Sequence, residues 1–365
     1  MRTSFDVVIA GGGIVGAACA MYCAEAGLSV AVAEPGPIGG GATAAGMGHV
    51  VVMDDSPAQL ALTEYSRRLW IGLIPELPRE AEYLPCGTIW VAADEEELAE
   101  CHRKKALAPH VAMEVIDGRQ LVEAEPHLRP GLAGGLLVLD DSTVYPPCAA
   151  AYFLQRSGAT LFRHAATSVS GEGLRLADGT TLSAGITVNA TGAWAAELTP
   201  GIEVRRRKGH LAITDRYPGF VSHVLVELGY LKSAHSTVGD SVAFNAQPRR
   251  TGQVLLGSSR QYSETREIEA GMLARMLQRC EEYMPGLGDL TAIRTWTGFR
   301  AATPDKLPLI GPTAADPRLY LATGHEGLGI TTSLATGRLV ADAIAGRQSE
   351  IAREAYLPTR VVEGH

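Results

Sequence analysis

The sequence predicts an α/β chain, α+β overall, in which a parallel βαβ-based unit is interleaved with a second domain of antiparallel strands. Three observations carry this expectation. Residues 5–10 and 28–33 read as strands flanking a helix at 14–26, a βαβ unit. Short strands at 160–163, 173–176 and 186–189 are followed by β-rich segments that dominate from 204 to 257. Glycine supplies 41 of 365 residues, about 11% against a usual level near 7%. These glycines show no period and no low-complexity tract but cluster at 11–16, 39–48 and 324–329. Clusters of that kind mark places where backbone must approach something closely.

The elements follow in chain order. Residues 7–24 carry no charge over 18 positions, long enough to raise the question of a membrane helix. Gly11, Gly12, Gly13 and Gly16 interrupt the stretch, and Asp6 precedes it where a signal peptide wants positive charge. A buried parallel strand running into a buried helix explains it better, and no other stretch suggests a span. Residues 57–73 have helical spacing, with Leu60, Leu62, Tyr65 and Leu69 apolar and Arg67 and Arg68 polar. Residues 88–92 read as a strand, and the acidic run 94–100 opens another helix, where negative charge suits the N-terminal dipole. A helix at 147–155 precedes short strands at 160–163, 173–176 and 186–189, with a turn at Asp178 and Gly179. Strands at 209–214, 241–245 and 253–256, a helix at 272–283, a further strand and a long helix at 330–344 complete the chain. Without an internal repeat or a linker, the domains must be interleaved rather than consecutive.

Composition excludes several functions. At 46% hydrophobic and 20% charged, the chain can build a full core and reads as two domains. A net charge of −8, from 32 basic and 40 acidic residues, argues against nucleic acid as a partner. The one basic run, Arg205, Arg206, Arg207 and Lys208, reads as a solvated edge or a local ion-pair site. Six cysteines without a Cys-x-x-Cys pair speak against zinc or an iron–sulfur cluster, and no metal site is expected. Cys19 and Cys23, four apart on a helix, read as small core residues, and the chain as a reduced, cytoplasmic protein.

Gly11, Gly13 and Gly16 fit Gly-x-Gly-x-x-Gly between a strand and a helix opened by Ile14 and Val15, and Glu34 lies 18 residues after Gly16. Gly11 allows the tight turn, Gly13 lets backbone reach a pyrophosphate, and Gly16 lets helix and strand pack closely. The helix N-terminus favours phosphate, and Glu34 can accept hydrogen bonds from ribose hydroxyls. A dinucleotide cofactor is therefore expected.

Five stretches together resemble the D-amino acid oxidase-like flavoprotein family, which includes glycine and sarcosine oxidases and D-amino acid dehydrogenases. They are the N-terminal fingerprint, GGGATAAGMG (39–48), VNATGAW (188–194), WTGFRAATPDKLPLIG (296–311) and ATGHEGLGI (322–330). The resemblance covers nearly the whole chain and implies FAD, with a Rossmann-like FAD-binding domain from 1–55, 140–205 and 300–365. An antiparallel-sheet substrate domain would then come from 56–139 and 206–299. On this resemblance Ala42, Thr43, Ala44, Gly46, Met47 and Gly48 lie along the pyrophosphate. Thr167, Ala190, Thr191, Gly192 and Trp194 belong with them, Trp194 by packing. Gly324, Gly327, Leu328, Gly329 and Ile330 lead into the last helix, whose N-terminus would stabilise reduced flavin. His325 reads as a capping residue. With neither Cys nor His in 39–48 or 298–305, the FAD is expected to be non-covalent.

The same resemblance assigns Arg300, in Gly298-Phe299-Arg300, to the substrate carboxylate, which a planar guanidinium matches bidentately. A structural ion pair is the competing reading. Met47 is implied as pocket wall, and Asn245 stands where glycine oxidase has a substrate-contacting tyrosine, a departure from simple glycine specificity. His49 and Glu326 read as facing the pocket, Glu326 as either an amine partner or a solvated carboxylate. The implied chemistry is hydride transfer from the α-carbon of a small amino or imino acid to flavin N5, with no obligatory base. The stretch 46–56 resembles D-hydroxyproline dehydrogenases and heteromeric amino acid dehydrogenase β subunits, which implies a D-proline or hydroxyproline-like substrate. A second subunit or electron-transfer partner is possible on that resemblance. A glycine or sarcosine-type oxidase using oxygen directly, or a flavin-binding subunit without its own turnover, are the alternatives.

Overall fold

Strand Ser4–Ala10 is apolar at every inward position, and the glycines after it release the chain directly into helix Ile14–Glu25. In the structure, a computed structural model, residues 3–52, 55–229 and 239–360 are described. Residues 53–54, within the stretch 46–56, and 361–365, at the end of the expected FAD-binding domain, lie outside them.

The first sheet is built on that strand. Its order is Leu309–Pro312, Leu319–Thr323, Thr181–Asn189, Ser4–Ala10, Val30–Ala33 and Thr160–Phe162. All these pairings are parallel except the first. A hairpin of Ala166–Ser170 and Gly173–Leu176 extends Thr181–Asn189 on its antiparallel side. Helices Ile14–Glu25, Pro146–Ser157 and Ser333–Ile344 pack together over one face, and Leu62, Tyr65, Trp70 and Leu73 of helix Pro57–Leu73 join the same core. Cys19 and Cys23 are fully buried there as small core residues.

The second sheet runs Ala292–Ala302, Arg205–Arg216, Gln253–Tyr262, Ser241–Pro248, Val224–Glu227, Thr88–Ala92, Gly134–Val138 and Met113–Asp117. It is antiparallel except where Val224–Glu227 meets Thr88–Ala92. Helix Ala270–Tyr283 covers its outer core through Met276, Cys280 and Tyr283. Among the described residues, no helix is long and apolar enough to cross a membrane.

Local chemistry sets most boundaries. Ser56 accepts a hydrogen bond from the Gln59 amide, and Pro57 sits at the first turn, so the helix starts where its periodicity begins. Asp94 caps helix Glu95–Leu107 at the Glu97 amide, with acids in the first turn and lysines in the last. Two expectations need correction. The last helix begins at Ser333 rather than 330, because residues 328–332 form a turn held by Thr332 N–H to the Leu328 carbonyl. The basic run is no solvated edge. Strand Arg205–Arg216 is interior, and Arg207 and Lys208 are 3% and 0% exposed, paired with Glu326 and Glu269. The ion-pair reading of that run holds.

Helix Ser333–Ile344 meets the first helix backbone closely at Gly337. A Cβ there would lie 2.6 Å from the Ala18 carbonyl carbon and oxygen. Gly337→Ala should therefore cost about 1–3 kcal/mol by overpacking, despite alanine's better helix propensity. Gly271 is also helical but faces open space, so Gly271→Ala should gain roughly 0.5–1 kcal/mol. Thermal unfolding of both variants checks the pair, and the two shifts in Tm should have opposite signs.

Candidate active site

A cavity of about 800 Å³ is lined by both sheets and by the three glycine clusters, within the range of small-molecule and cofactor sites. The first cluster presents backbone to it. Gly11 has φ +104°, and a Cβ there would lie 2.5 Å from the Ala190 carbonyl oxygen. Glu34, at the end of the second strand, accepts from the Gly12 amide at 2.8 Å and the Gly36 amide at 2.9 Å. A carboxylate has about four lone-pair sites, so this closing of the loop leaves acceptor capacity at the cavity wall. The second cluster is tied to the first by Thr43, whose hydroxyl accepts the Ile14 amide at 3.0 Å and satisfies a helix terminus that Gly13 cannot cap.

The turn before the last helix is fastened from outside. The Thr331 carbonyl accepts from the Ser66 hydroxyl at 2.6 Å and from Trp70 Nε1 at 3.0 Å, both on helix Pro57–Leu73. The Thr331 hydroxyl donates to the His49 carbonyl at 2.9 Å. His325 is not a cap. Its Nε2 meets the Thr336 hydroxyl at 2.8 Å, one turn inside the helix. Burial pulls the His325 imidazole down to about 3, and does the same to His49, whose Nε2 meets the Thr88 hydroxyl at 2.7 Å. Behind them Asp141, fully buried, is pushed up to about 7 by burial against the opposing pull of Thr88 and Arg67.

Polar side chains of the second sheet form the other end. Arg300 extends across Gly209 of the neighbouring strand and donates through Nη1 to the Ser259 carbonyl at 2.9 Å. A Cβ on Gly209 would overlap its guanidinium. Arg207 stands opposite Arg300 in the strand pair, a like-charge neighbour. Glu326 offsets it: its Oε1 accepts from Arg207 Nη1 at 2.8 Å and lies 3.9 Å from Arg260 Nε. Glu326 holds φ 46° and Lys306, also on the wall, φ 62°. Both lie in the left-handed region that side chains rarely adopt, a strain that concentrates at functional sites. Burial lowers the Lys306 ammonium.

Most expected site residues line the cavity, including Arg300, Asn245, Met47 and His49. Three do not. Gly16 packs instead against the Gly11 carbonyl, where any Cβ would overlap it. Ala44 is exposed on the outer side of the single turn Ala42–Ala45. Thr167 is exposed and bonds the Arg175 carbonyl, while its neighbour Ala166 faces inward, since alternate strand residues take opposite faces. Glu326 lines the cavity as a buried ion-pair partner and not as a solvated carboxylate. The sequence reading missed Gly209, Gln247, Arg260, Lys306 and Trp90. Strand alternation from Asn245 points to Gln247; nothing local points to Arg260 or Trp90.

The two neutral histidines have a consequence for acid stability. Their folded values lie below the unfolded 6.5, so the unfolded chain binds more protons and stability falls as pH drops from about 6.5 toward 3. Asp141 acts with opposite sign, losing stability as pH rises from about 4 to 7. His325→Gln keeps a partner for Thr336 and removes one acid-labile group. The Tm gap between pH 7 and pH 5 should narrow relative to the parent, by up to about 2 kcal/mol in stability; Asp141→Asn should shift that gap the other way.

A model for the family described as FAD dependent oxidoreductase (DAO) matches residues 6–343. Hydrogen cyanide synthase subunit HcnC of Pseudomonas aeruginosa is 30% identical over 93% of this chain and 92% of its own length. Glycine oxidase of Geobacillus kaustophilus is 28% identical, covering 96% of this chain and 95% of its own. The crystal structure of glycine oxidase from that organism matches with a TM-score of 0.88 at 26% identity, over 99% of this chain and 100% of that one. L-proline dehydrogenase from P. horikoshii matches at 0.87 and 23% identity over 98% of each chain, a likeness of fold.

Proposed function

The chain belongs to the FAD-dependent oxidoreductase (DAO) family, and from that premise we propose that it oxidises a small amino or imino acid of the D-proline or hydroxyproline kind, anchored by its carboxylate on Arg300. That the enzyme is FAD-dependent and acts on amino acid-like donors follows from its relatives. The observation that carries the finer reading is the Arg300 guanidinium, laid over Gly209 at the cavity wall.

The residues present fit the cofactor. Of the glycines that line the cavity, Gly41 and Gly192 have no protein atom within 4 Å of where a Cβ would sit, and Gly13 only the Thr43 hydroxyl at 3.4 Å, so bare backbone is presented to the space. Gly13 and the first turn of Ile14–Glu25 suit the pyrophosphate, and Glu34 suits ribose hydroxyls. The cofactor on this reading is non-covalent: among the described residues no cysteine lines the cavity, and its histidines meet hydroxyls, His49 that of Thr88 and His325 that of Thr336. When bound, the flavin would supply a two-electron acceptor for the hydride of the substrate α-carbon, the amine being oxidised to an imine with loss of a proton.

The protein's part is binding and orientation. A guanidinium grips a carboxylate bidentately and so fixes the α-carbon. Met47, packed against Gly257 and Leu211, and Trp90 exclude water from the substrate end. Burial keeps His49 neutral, so it adds no positive charge to oppose the protonated amine of an incoming substrate. The parallel-sheet body serves the cofactor and the inner face of the second sheet serves the substrate. A partner protein as electron acceptor is the second reading, favoured by a 30%-identical relative whose name calls it a subunit.

Purified protein should be yellow, and anaerobic D-proline, cis-4-hydroxy-D-proline, glycine or sarcosine should bleach it. Failure of every amino acid to bleach the flavin overturns the reading. Colour restored by air at turnover rate marks an oxidase; slow return marks a dehydrogenase with another acceptor. Arg300→Ala should raise KM by roughly 10–100-fold, as expected for a lost charge-assisted pair, with the flavin spectrum retained. Gly209→Val should mimic it without touching the arginine.

A further inference from the structure

The Arg300 guanidinium is held by a residue whose own side chain lies away from the cavity. Its Nη1 crosses Gly209 and donates to the Ser259 carbonyl at 2.9 Å, two strands from its own. Ser259 belongs to strand Gln253–Tyr262 and is fully buried. Its neighbours Ser258 and Arg260 line the cavity, and Ser259 does not. On the adjacent strand Arg205–Arg216, Gly209 and Leu211 line the cavity while His210, between them and fully buried, takes the other face. Ser259 and His210 meet there.

The strand pair loses register at this place. Lys208 faces Gln261 and Ala212 faces Leu256, so four steps on one strand span five on the other. Such breaks re-aim side chains beside active sites. His210 lies inside the break, and its amide donates to Ser259 Oγ at 2.9 Å, where a regular ladder would use a backbone carbonyl. Its ring meets the same oxygen through Nδ1, also at 2.9 Å. The second ring nitrogen fixes the tautomer. Nε2 accepts the Glu269 amide at 3.1 Å, so the proton of the neutral imidazole sits on Nδ1, which donates. Ser259 Oγ thus accepts twice and has both lone pairs in use. Glu269 is fastened in turn, its Oε1 by Lys208 Nζ and its Oε2 by Gln261 Nε2 at 2.8 Å.

A hydroxyl that takes the His210 amide leaves the Ser259 carbonyl to another donor, and Arg300 is that donor. Without the hydroxyl, the amide would turn to the backbone carbonyls of the facing strand, that of Ser259 among them, in competition with the guanidinium. We infer that Ser259 and His210 are positioning residues for the substrate anchor, delivering the Ser259 carbonyl to Arg300 and so holding its guanidinium across Gly209. They act through Arg300 and line no part of the cavity themselves. The inference rests on the carboxylate anchoring proposed above.

A double-mutant cycle with Arg300 tests it, read as the apparent Kd in anaerobic flavin reduction by D-proline, cis-4-hydroxy-D-proline, glycine or sarcosine. Ser259→Ala should raise that Kd by roughly three- to tenfold, as for a lost hydrogen bond. On an Arg300→Ala background the same change should move it by less than about twofold. His210→Phe leaves Ser259 Oγ one donor instead of two; it should behave alike, and serves where Ser259→Ala does not fold. A merely structural role would act by the same factor in both backgrounds. Equal factors, or an unchanged Kd in both single variants, overturn the positioning role while the anchor stands. An unchanged Kd in Arg300→Ala overturns the anchor, and bleaching by no amino acid overturns the oxidation reading; the positioning role falls with either.

Discussion

The carboxylate of Glu326 holds the substrate end of the cavity together. It is carried by the loop that leaves the first sheet after Leu319–Thr323, and its partners Arg207 and Arg260 belong to the second sheet. Its own amide donates to the Ala301 carbonyl at 2.9 Å, a second link between the same two layers. Without this anion, strand Arg205–Arg216 would bring Arg207 into the interior beside Arg300 with both charges exposed to each other. A buried ion pair is weak evidence of net stability, but an unpartnered buried charge is costly. The left-handed φ of Glu326 is a strain of about 1–3 kcal/mol, tolerated because the carboxylate is needed at that spot. The contact therefore works less as a source of stability than as a constraint on where the two sheets can meet.

Glycine serves different ends in this architecture. At Gly16 and Gly337 its absent side chain lets helices touch backbone, which holds the first sheet and its helical layer together. At Gly41 and Gly192 the absent side chain leaves bare backbone on the cavity wall, and at Gly209 it makes room for the Arg300 guanidinium. The glycine excess is thus shared among packing, the cavity wall and turns such as Gly158 and Gly179, whose φ is positive. Gly209 is the instructive member, since it belongs to no cluster and matters only through a side chain on the next strand.

Legibility in the sequence followed the range of the forces involved. Helix Pro57–Leu73 and strand Thr88–Ala92 were readable to the residue, because a cap, a proline and an apolar run fix them locally. Strand Gly134–Val138 was not, since its two leading glycines resemble a turn and only pairing with Thr88–Ala92 makes it a strand. Leu309–Pro312, an edge strand ending in Gly and Pro, was hidden in the same way. At the site, loop residues carried by motif were found, whereas Thr167 failed by one position on a strand, where one position reverses the face. Gln247 was within reach of strand alternation from Asn245, whereas Arg260 and Trp90 depend on strand order across the second sheet, which no local pattern encodes.

Arginine rather than histidine at the anion-binding end has a consequence for pH. A guanidinium stays charged at any working pH, and burial holds both cavity histidines neutral down to about 3. On the proposed reading, carboxylate anchoring on Arg300 is therefore insensitive to pH across the neutral range. Asp141, which burial brings to about 7, is connected to His49 through the Thr88 hydroxyl. The Thr88 hydroxyl has one proton to donate, and an ionised Asp141 would compete for it with His49. With anchoring fixed on that reading, the pH dependence of turnover falls on the substrate amine, which must be neutral to lose hydride, and on the titratable groups of the wall, Lys306 and the Asp141–Thr88–His49 chain.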